Sequence, residues 1–275
     1  MAGYDIDRKT VLITGASGGF GSELCRKLIT EHGCRVIGAG RSREKLEAVA
    51  SSLGAYRRKF AYCRFDVSDV GAWRRLARRL EEKNVIPDLL INNAGIMPPF
   101  EKFGHEDAET ARRVIEVDLM SVIYGCGVMM PLLLRSPQGG IINVASSAAF
   151  SPVIGAAVYS ASKGAVKNFT MALAGEMRGR LFVSAACPGF SMTDLFRDSG
   201  LSRTDHEFID GLGTDKSEIA EQIIRGARSG KEIIICGKDS RLMTAMSSVA
   251  PVKANALYAK IMRSSGLDMF KDLRL

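Results

Sequence analysis

Histidine is scarce in this chain: only His32, His105 and His206 occur, isolated from one another and with no metal-ligand pattern around them. The six cysteines, Cys25, Cys34, Cys63, Cys126, Cys187 and Cys236, make no C-x-x-C pair and no other metal-ligand spacing. A zinc or iron–sulfur site is therefore not expected, and the thiols read as free and buried, as in a reducing compartment. No apolar run reaches the approximately 20 residues of a membrane span, and the opening MAGYDIDRKT lacks the apolar core of a signal peptide. The expectation is a cytoplasmic protein without a membrane span. Aromatic residues make up only 7% of the 275 residues, which bears on the charge. The 38 basic residues against 30 acidic ones give a formal +8, much of it in YRRK (Tyr56 to Lys59) and WRRLARRL (Trp73 to Leu80). With no aromatic interleaving and no nucleic-acid motif, this charge reads as a solvated helix face, and no nucleic-acid partner is expected. Linkers, low-complexity stretches and repeats are also missing, which leaves one unit over residues 1–275.

What is present is an alternation of short apolar runs with helical patterns. Val11 to Thr14, Arg35 to Ala39, Phe60 to Phe65, Asp88 to Ile91 and Ile141 to Val144 read as strands. Ser22 to Glu31, Trp73 to Lys83 and Ala108 to Leu134 read as helices between them. That order predicts parallel βαβ units in a doubly wound sheet, where ligands sit beyond the C-terminal ends of the strands. Chemistry-bearing residues gather at those ends. TGASGGFG (Thr14 to Gly21) follows the first strand; its Gly15, Gly19 and Gly21 suit a tight turn that sets an anion on a helix N-terminus, with Ser17 and Phe20 between them.

A second constellation lies after the fifth strand. In YSASK, Tyr159 and Lys163 stand four positions apart, on one face of a helix, and Ser146 lies thirteen residues upstream. An ammonium one turn from a phenol stabilises the phenolate, lowering the tyrosine towards a useful range for passing a proton to a carbonyl oxygen or taking one from an alcohol. A serine hydroxyl at the strand end is suited to polarise that same oxygen.

Together these motifs resemble those of the short-chain dehydrogenase/reductase family. TGASGGFG is similar to the family's TGxxxGxG, Asp66 and the following Val67 to its aspartate region beside the adenine, and NNAG (Asn92 to Gly95, with Asn93, Ala94 and Gly95) to the motif supporting the central sheet and lining the cofactor site. Ser146, Tyr159 and Lys163 match the family's catalytic triad. CPGFSMTD (Cys187 to Asp194) matches its PG motif, implying contacts from Pro188, Gly189 and Thr193 at the nicotinamide end. The resemblance spans about Lys9 to Gly237 and implies an α/β fold: a single-domain, Rossmann-type doubly wound parallel sheet with a helical C-terminal extension, about 241–275. It also implies a homo-oligomer. One position departs from the pattern: Asp118 stands where the family usually has asparagine, a fourth catalytic position acting through its main-chain carbonyl in a helix bulge. The exchange either leaves that backbone role intact or brings a carboxylate to Lys163.

The second strand ends in Gly40, not in the acid that an NAD-binding protein uses for the ribose 2′-hydroxyl, and Arg41 and Ser42 follow as partners for a 2′-phosphate. NADP(H) is the expected cofactor. The expected function is hydride transfer between its nicotinamide and a ketone or secondary alcohol. The resemblance implies that the segment 191–213 covers the substrate, where Leu195, Phe196, Leu201, Phe208, Ile209 and Leu212 either line an apolar cleft or form the core face of two short helices. The first reading, with an extension rich in leucine, methionine and valine, gives the expectation of a lipophilic small-molecule substrate. That extension reads as two amphipathic helices broken near Pro251, packed on the domain, joined to a second copy, or touching a membrane surface. The alternative function is a dinucleotide sensor or scaffold of the same fold with weak turnover.

Overall fold

The computed structural model describes residues 3–191, 193 and 202–274. In chain order the elements are β1 (Thr10–Thr14), α1 (Gly19–Thr30), β2 (Arg35–Gly40), α2 (Arg43–Ser52), β3 (Phe60–Arg64), α3 (Val70–Glu82), β4 (Leu89–Asn92), α4 (Ala108–Ile115) and α5 (Ser121–Leu133). There follow β5 (Gly140–Val144), α6 (Ala157–Glu176), β6 (Phe182–Pro188), α7 (Arg203–Leu212), α8 (Lys216–Arg228), β7 (Ile233–Cys236), α9 (Lys238–Val249) and α10 (Pro251–Ser264). The seven strands form one parallel sheet in the order β3-β2-β1-β4-β5-β6-β7. Building outward from β1 in one direction and from β4 in the other opens a crevice at the C-terminal ends of those two strands.

Alternation along each strand divides the core in two. Val11 and Ile13 of β1, with Leu89 and Ile91 of β4, pack on one face with Leu24 and Leu28 of α1 and Ile219 and Ile223 of α8. Leu12, Leu90 and Ile141 point to the other face, against Trp73 and Leu76 of α3, Val122 and Met129 of α5 and Val166 of α6. The basic run of α3 faces solvent, as its pattern requires: Trp73, Leu76 and Leu80 are buried while Arg74, Arg75, Arg78 and Arg79 are exposed. α4 and α5 continue through a π turn, Glu116–Met120, into one helix, Ala108–Leu133, long and apolar enough by composition to cross a bilayer. Here it packs on the sheet. Gly125 permits the approach, since a Cβ there would lie 2.5 Å from Asn92 Oδ1 of β4 and 2.9 Å from the Trp73 ring of α3.

Two strands, β6 and β7, were not among the five read from the sequence. Both are continuous apolar runs, FVSAACP and IIIC, that lack the alternation separating strand from buried helix. Beyond β7 the chain breaks at Pro251 into the two expected helices, with Pro251 in the first turn of α10. A 3₁₀ turn, Asp268–Leu273, follows. It packs with Phe100, Val153, Tyr159 and Ile209 in a third apolar cluster through Leu267, Met269, Phe270 and Leu273. Polar ties fix it there: Asp205 accepts from the Met269 N–H at 3.2 Å, and Asp272 from the Lys102 N–H at 2.7 Å.

Candidate active site

The crevice at the strand ends is a cleft of about 370 Å³ whose floor is the glycine turn. Gly15 has φ +62°, a left-handed conformation that only glycine adopts without strain, and a Cβ on Gly21 would lie 2.0 Å from the Gly15 carbonyl oxygen. Two side chains from neighbouring strands set the turn. Thr14 Oγ1 accepts from the Asn93 and Ala94 N–H groups, both at 3.0 Å, and Asn93 Nδ2 donates to the Thr14 and Gly15 carbonyls at 3.0 and 3.2 Å. Behind them Asn92 donates to Asn143 at 2.8 Å and Asn143 to Thr170 at 2.9 Å, a buried chain joining β4, β5 and α6. No side chain caps α1 and no acid occupies its first turn, so its N-terminus is electrostatically open to an anion. Gly15, Ser17, Gly19 and Phe20 line this end with Gly18. Gly21 lies behind the wall as its support.

At the second-strand end, Gly40, Arg41, Ser42, Lys45, Phe65 and Val67 line the cleft. Two sequence-based assignments need refinement here. The Ser42 hydroxyl is engaged as the N-cap of α2: it accepts from the Lys45 N–H at 3.1 Å and donates to Glu44 at 2.7 Å. Asp66 does not line the cleft. Its carboxylate accepts from Ser68 N–H at 3.0 Å, Ser68 Oγ at 2.7 Å and Arg113 at 2.6 Å. Although burial pushes this carboxyl up, those donors outweigh it and hold it at about 2. Lys45 is a basic lining residue that the sequence reading missed; its position one helical turn past Arg41 was the available signal.

At the fifth-strand end Ser146, Tyr159, Lys163 and Asp118 come together, as do Asn93, Ala94, Gly95, Pro188, Gly189 and Thr193. Lys163 Nζ lies 5.6 Å from the Tyr159 ring centre and donates to the Val144 carbonyl at 3.4 Å. The Asp118 exchange is not silent. Its backbone sits in the π turn, the bulge the resemblance implies, and its carboxylate is fully buried 3.1 Å from Lys163 Nζ while accepting from the Ile96 N–H at 2.8 Å. Burial pulls Lys163 down, but Asp118 and Tyr159 outweigh it and hold the ammonium above its ordinary value. The Tyr159 phenol is pushed up by burial, relieved by Lys163 and reinforced by Asp118. This differs from the expected downward shift, because desolvation and the added carboxylate together exceed the effect of one shared cation.

The substrate end is walled by Ile96, Met97, Ala148, Val153 and Phe190. Strand-end position was the only sequence signal for them. Asp239 braces this wall from behind, accepting from the Phe190 N–H at 2.6 Å beneath Gly189, where a Cβ would lie 2.1 Å from its oxygen. In the segment 191–213, Ser191 is buried against the cleft, Ile209 is buried and Phe208 half-buried. Leu195, Phe196, Leu201 and the Leu212 side chain lie outside the described residues. The six cysteines are free, and no group of potential metal ligands occurs among the described residues.

A family model described as short chain dehydrogenase matches residues 9–203. The chain belongs to that family. Among its relatives, a serine 3-dehydrogenase of Agrobacterium fabrum is 30% identical over 233 residues, covering 82% of this chain and 90% of the relative. An NADPH-dependent pterin aldehyde reductase of Arabidopsis thaliana is 34% identical over 187 residues, 68% of this chain and 76% of the relative. In structure the family fold extends further: a short chain dehydrogenase/reductase of Burkholderia phymatum, in complex with NAD, superposes with a TM-score of 0.78 at 23% identity over 92% of this chain and 96% of the other.

Proposed function

We propose that this family member is an NADP(H)-dependent oxidoreductase that interconverts a ketone and a secondary alcohol, with Tyr159 as its acid and base. The observation that carries the reading is the convergence of Ser146, Tyr159 and Lys163 on a cleft continuous with a dinucleotide cradle. The cradle fits the cofactor: glycines clear the turn, the open N-terminus of α1 suits a pyrophosphate, and Arg41 with Lys45, where no carboxylate ends β2, suits a 2′-phosphate. Bound there, NADPH supplies the hydride. Ser146 would hydrogen-bond the substrate oxygen and Tyr159 would deliver a proton to it as the carbonyl carbon is reduced. Lys163 would steady the phenolate left behind, and in the reverse direction Tyr159 would take the alcohol proton.

For the substrate we favour a neutral, lipophilic ketone over a charged amino acid. Among the described lining residues the charged ones are Arg41 and Lys45 at the far end and the mutually paired Asp118 and Lys163. A zwitterion at the substrate end would find no unpaired counter-charge among those described residues, whereas Ile96, Met97, Val153 and Phe190 offer apolar surface. The whole chain would act as one unit, the extension backing the substrate wall. The test is NADPH oxidation by the purified protein against steroid, retinoid and long-chain acyl ketones, with serine and NADP+ as the polar comparison. Turnover confined to serine would remove the lipophilic reading. Turnover of nothing, with tight NADPH binding, would favour a sensor.

A further inference from the structure

The outer surface of α9 and α10 takes no part in the reaction above. Each helix buries one stripe against the domain: Ser240 donates to the Cys187 carbonyl at 3.0 Å, Ser151 to the Met243 carbonyl at 3.1 Å and Asn255 to the Pro152 carbonyl at 2.9 Å. The opposite stripe is open and apolar. Of the seven large hydrophobic residues exposed among the described ones, five lie here: Leu242, Val249, Val252, Leu257 and Ile261. Val249 and Val252, 88% and 81% exposed, flank Pro251, so the tip of the helical hairpin is its most apolar point.

Charge on the same stripe is of one sign. Lys238, Arg241, Lys253, Lys260 and Arg263 are all exposed, and the only acid between Lys238 and Ser264 is Asp239, which is buried and turned inward to Phe190. An apolar ridge whose two helices expose only cations is complementary to an anionic lipid surface, where the ridge enters the headgroup region and the cations meet phosphates. It is poorly suited to a second copy of itself, because an isologous contact would set five cations against five with no exposed acid from either helix between them. Nor can the hairpin span a bilayer, since the helices are 12 and 14 residues long and a span takes about 20.

We propose that the α9–α10 hairpin docks this protein on anionic phospholipid membranes, with Val249, Pro251 and Val252 at the boundary between headgroups and acyl chains. Docking stands independently of the reaction. That it would bring the cleft near a reservoir of substrate rests on the lipophilic reading, because the hairpin abuts Ser151 and Pro152, which precede the cleft residue Val153.

Vesicle co-sedimentation of the full chain tests the docking without any turnover. With phosphatidylcholine vesicles containing a quarter phosphatidylglycerol, the protein is expected in the pellet at low salt and in the supernatant in high salt; with phosphatidylcholine alone it stays in the supernatant. Lys253→Ser and Lys260→Ser should each weaken binding about fivefold, the effect of one cation at an anionic surface. Val249→Asp with Val252→Asp should abolish it while NADPH binding is unchanged, and Arg74→Ser on the solvent face of α3 should leave it intact. No binding to the anionic vesicles, or binding that these hairpin variants do not alter, overturns the proposal. So does a vesicle-free dimer that Val249→Asp converts to monomer, which would assign the ridge to a second copy.

Discussion

The Asp118 carboxylate lies 3.1 Å from Lys163 Nζ, so the ammonium that would otherwise act on Tyr159 alone is divided between two acidic groups. With the phenol already pushed up by burial, Tyr159 keeps its proton through neutral pH. Reduction, which needs the protonated phenol, should therefore be flat with pH near neutrality and fall only in alkali, while oxidation should rise with pH. In Asp118→Asn the carboxylate's upward push is lost, so the alkaline fall of reduction should move to lower pH and oxidation near neutrality should gain. Unfolding should become easier, because a buried Lys163 is left without its counter-ion. An unmoved pH profile in a folded Asp118→Asn protein would mean that the pair is structural only. Tyr159→Phe keeps the ring and removes the proton donor; we expect loss of at least about two orders of magnitude in kcat, the usual scale of an acid catalyst. NADPH affinity, read by fluorescence titration, should stay within about twofold of the parent, since a single hydroxyl lost from a large interface is a small change.

Elements carry the cofactor site, and there the sequence was most legible, because each motif is local: a glycine turn between one strand and one helix is written in eight consecutive residues. The five strands ending in those motifs were also legible, with boundaries within a residue or so. What could not be read were pairings between distant positions. Asp66 meets Arg113 across 47 residues, and the Ser42 hydroxyl goes to its own helix terminus, which a phosphate-binding reading passes over. In the extension an amphipathic pattern marks two helices but not which apolar residues are covered: Met243 and Met262 are buried, Leu242 and Ile261 are not. At this scale Gly21→Ala tests the turn directly. Its Cβ would meet the Gly15 carbonyl oxygen at 2.0 Å, backbone against backbone, so α1 must shift. We expect a loss of about 1–3 kcal/mol by thermal or urea unfolding and NADPH binding weaker by at least about tenfold, the scale of one displaced phosphate contact. Arg41→Asp tests the other end without moving the backbone: titration should show NADPH weakened and NADH favoured, and an unchanged preference would assign the 2′-phosphate to Lys45 alone.

Across the whole molecule the third apolar cluster joins the chain's end to its chemistry. Phe270 is 2% exposed, its ring 5.0 Å from that of Phe100, in a cluster that also holds Val153 of the substrate wall and Tyr159. The extension therefore does more than cover the fold: removing it would unpack the surroundings of Tyr159, so a complete truncation cannot separate substrate access from chemistry. Phe270→Ala is the gentler probe. Emptying a buried phenylalanine site costs about 3–5 kcal/mol, a large share of a typical total stability of roughly 5–15 kcal/mol, so the melting temperature should fall by several degrees or more. The dinucleotide cradle is built on β1, β2 and β4, which do not contribute to this cluster, and NADPH affinity should hold in the fraction that remains folded. The Val153 side of the cleft loses its backing, so KM for a bulky ketone should rise more than KM for a small one. If both ketones instead lose kcat equally with KM unchanged, the cluster acts by holding Tyr159 and not by shaping the substrate wall, and the case for a lipophilic substrate would then rest on Ile96, Met97 and Phe190 alone.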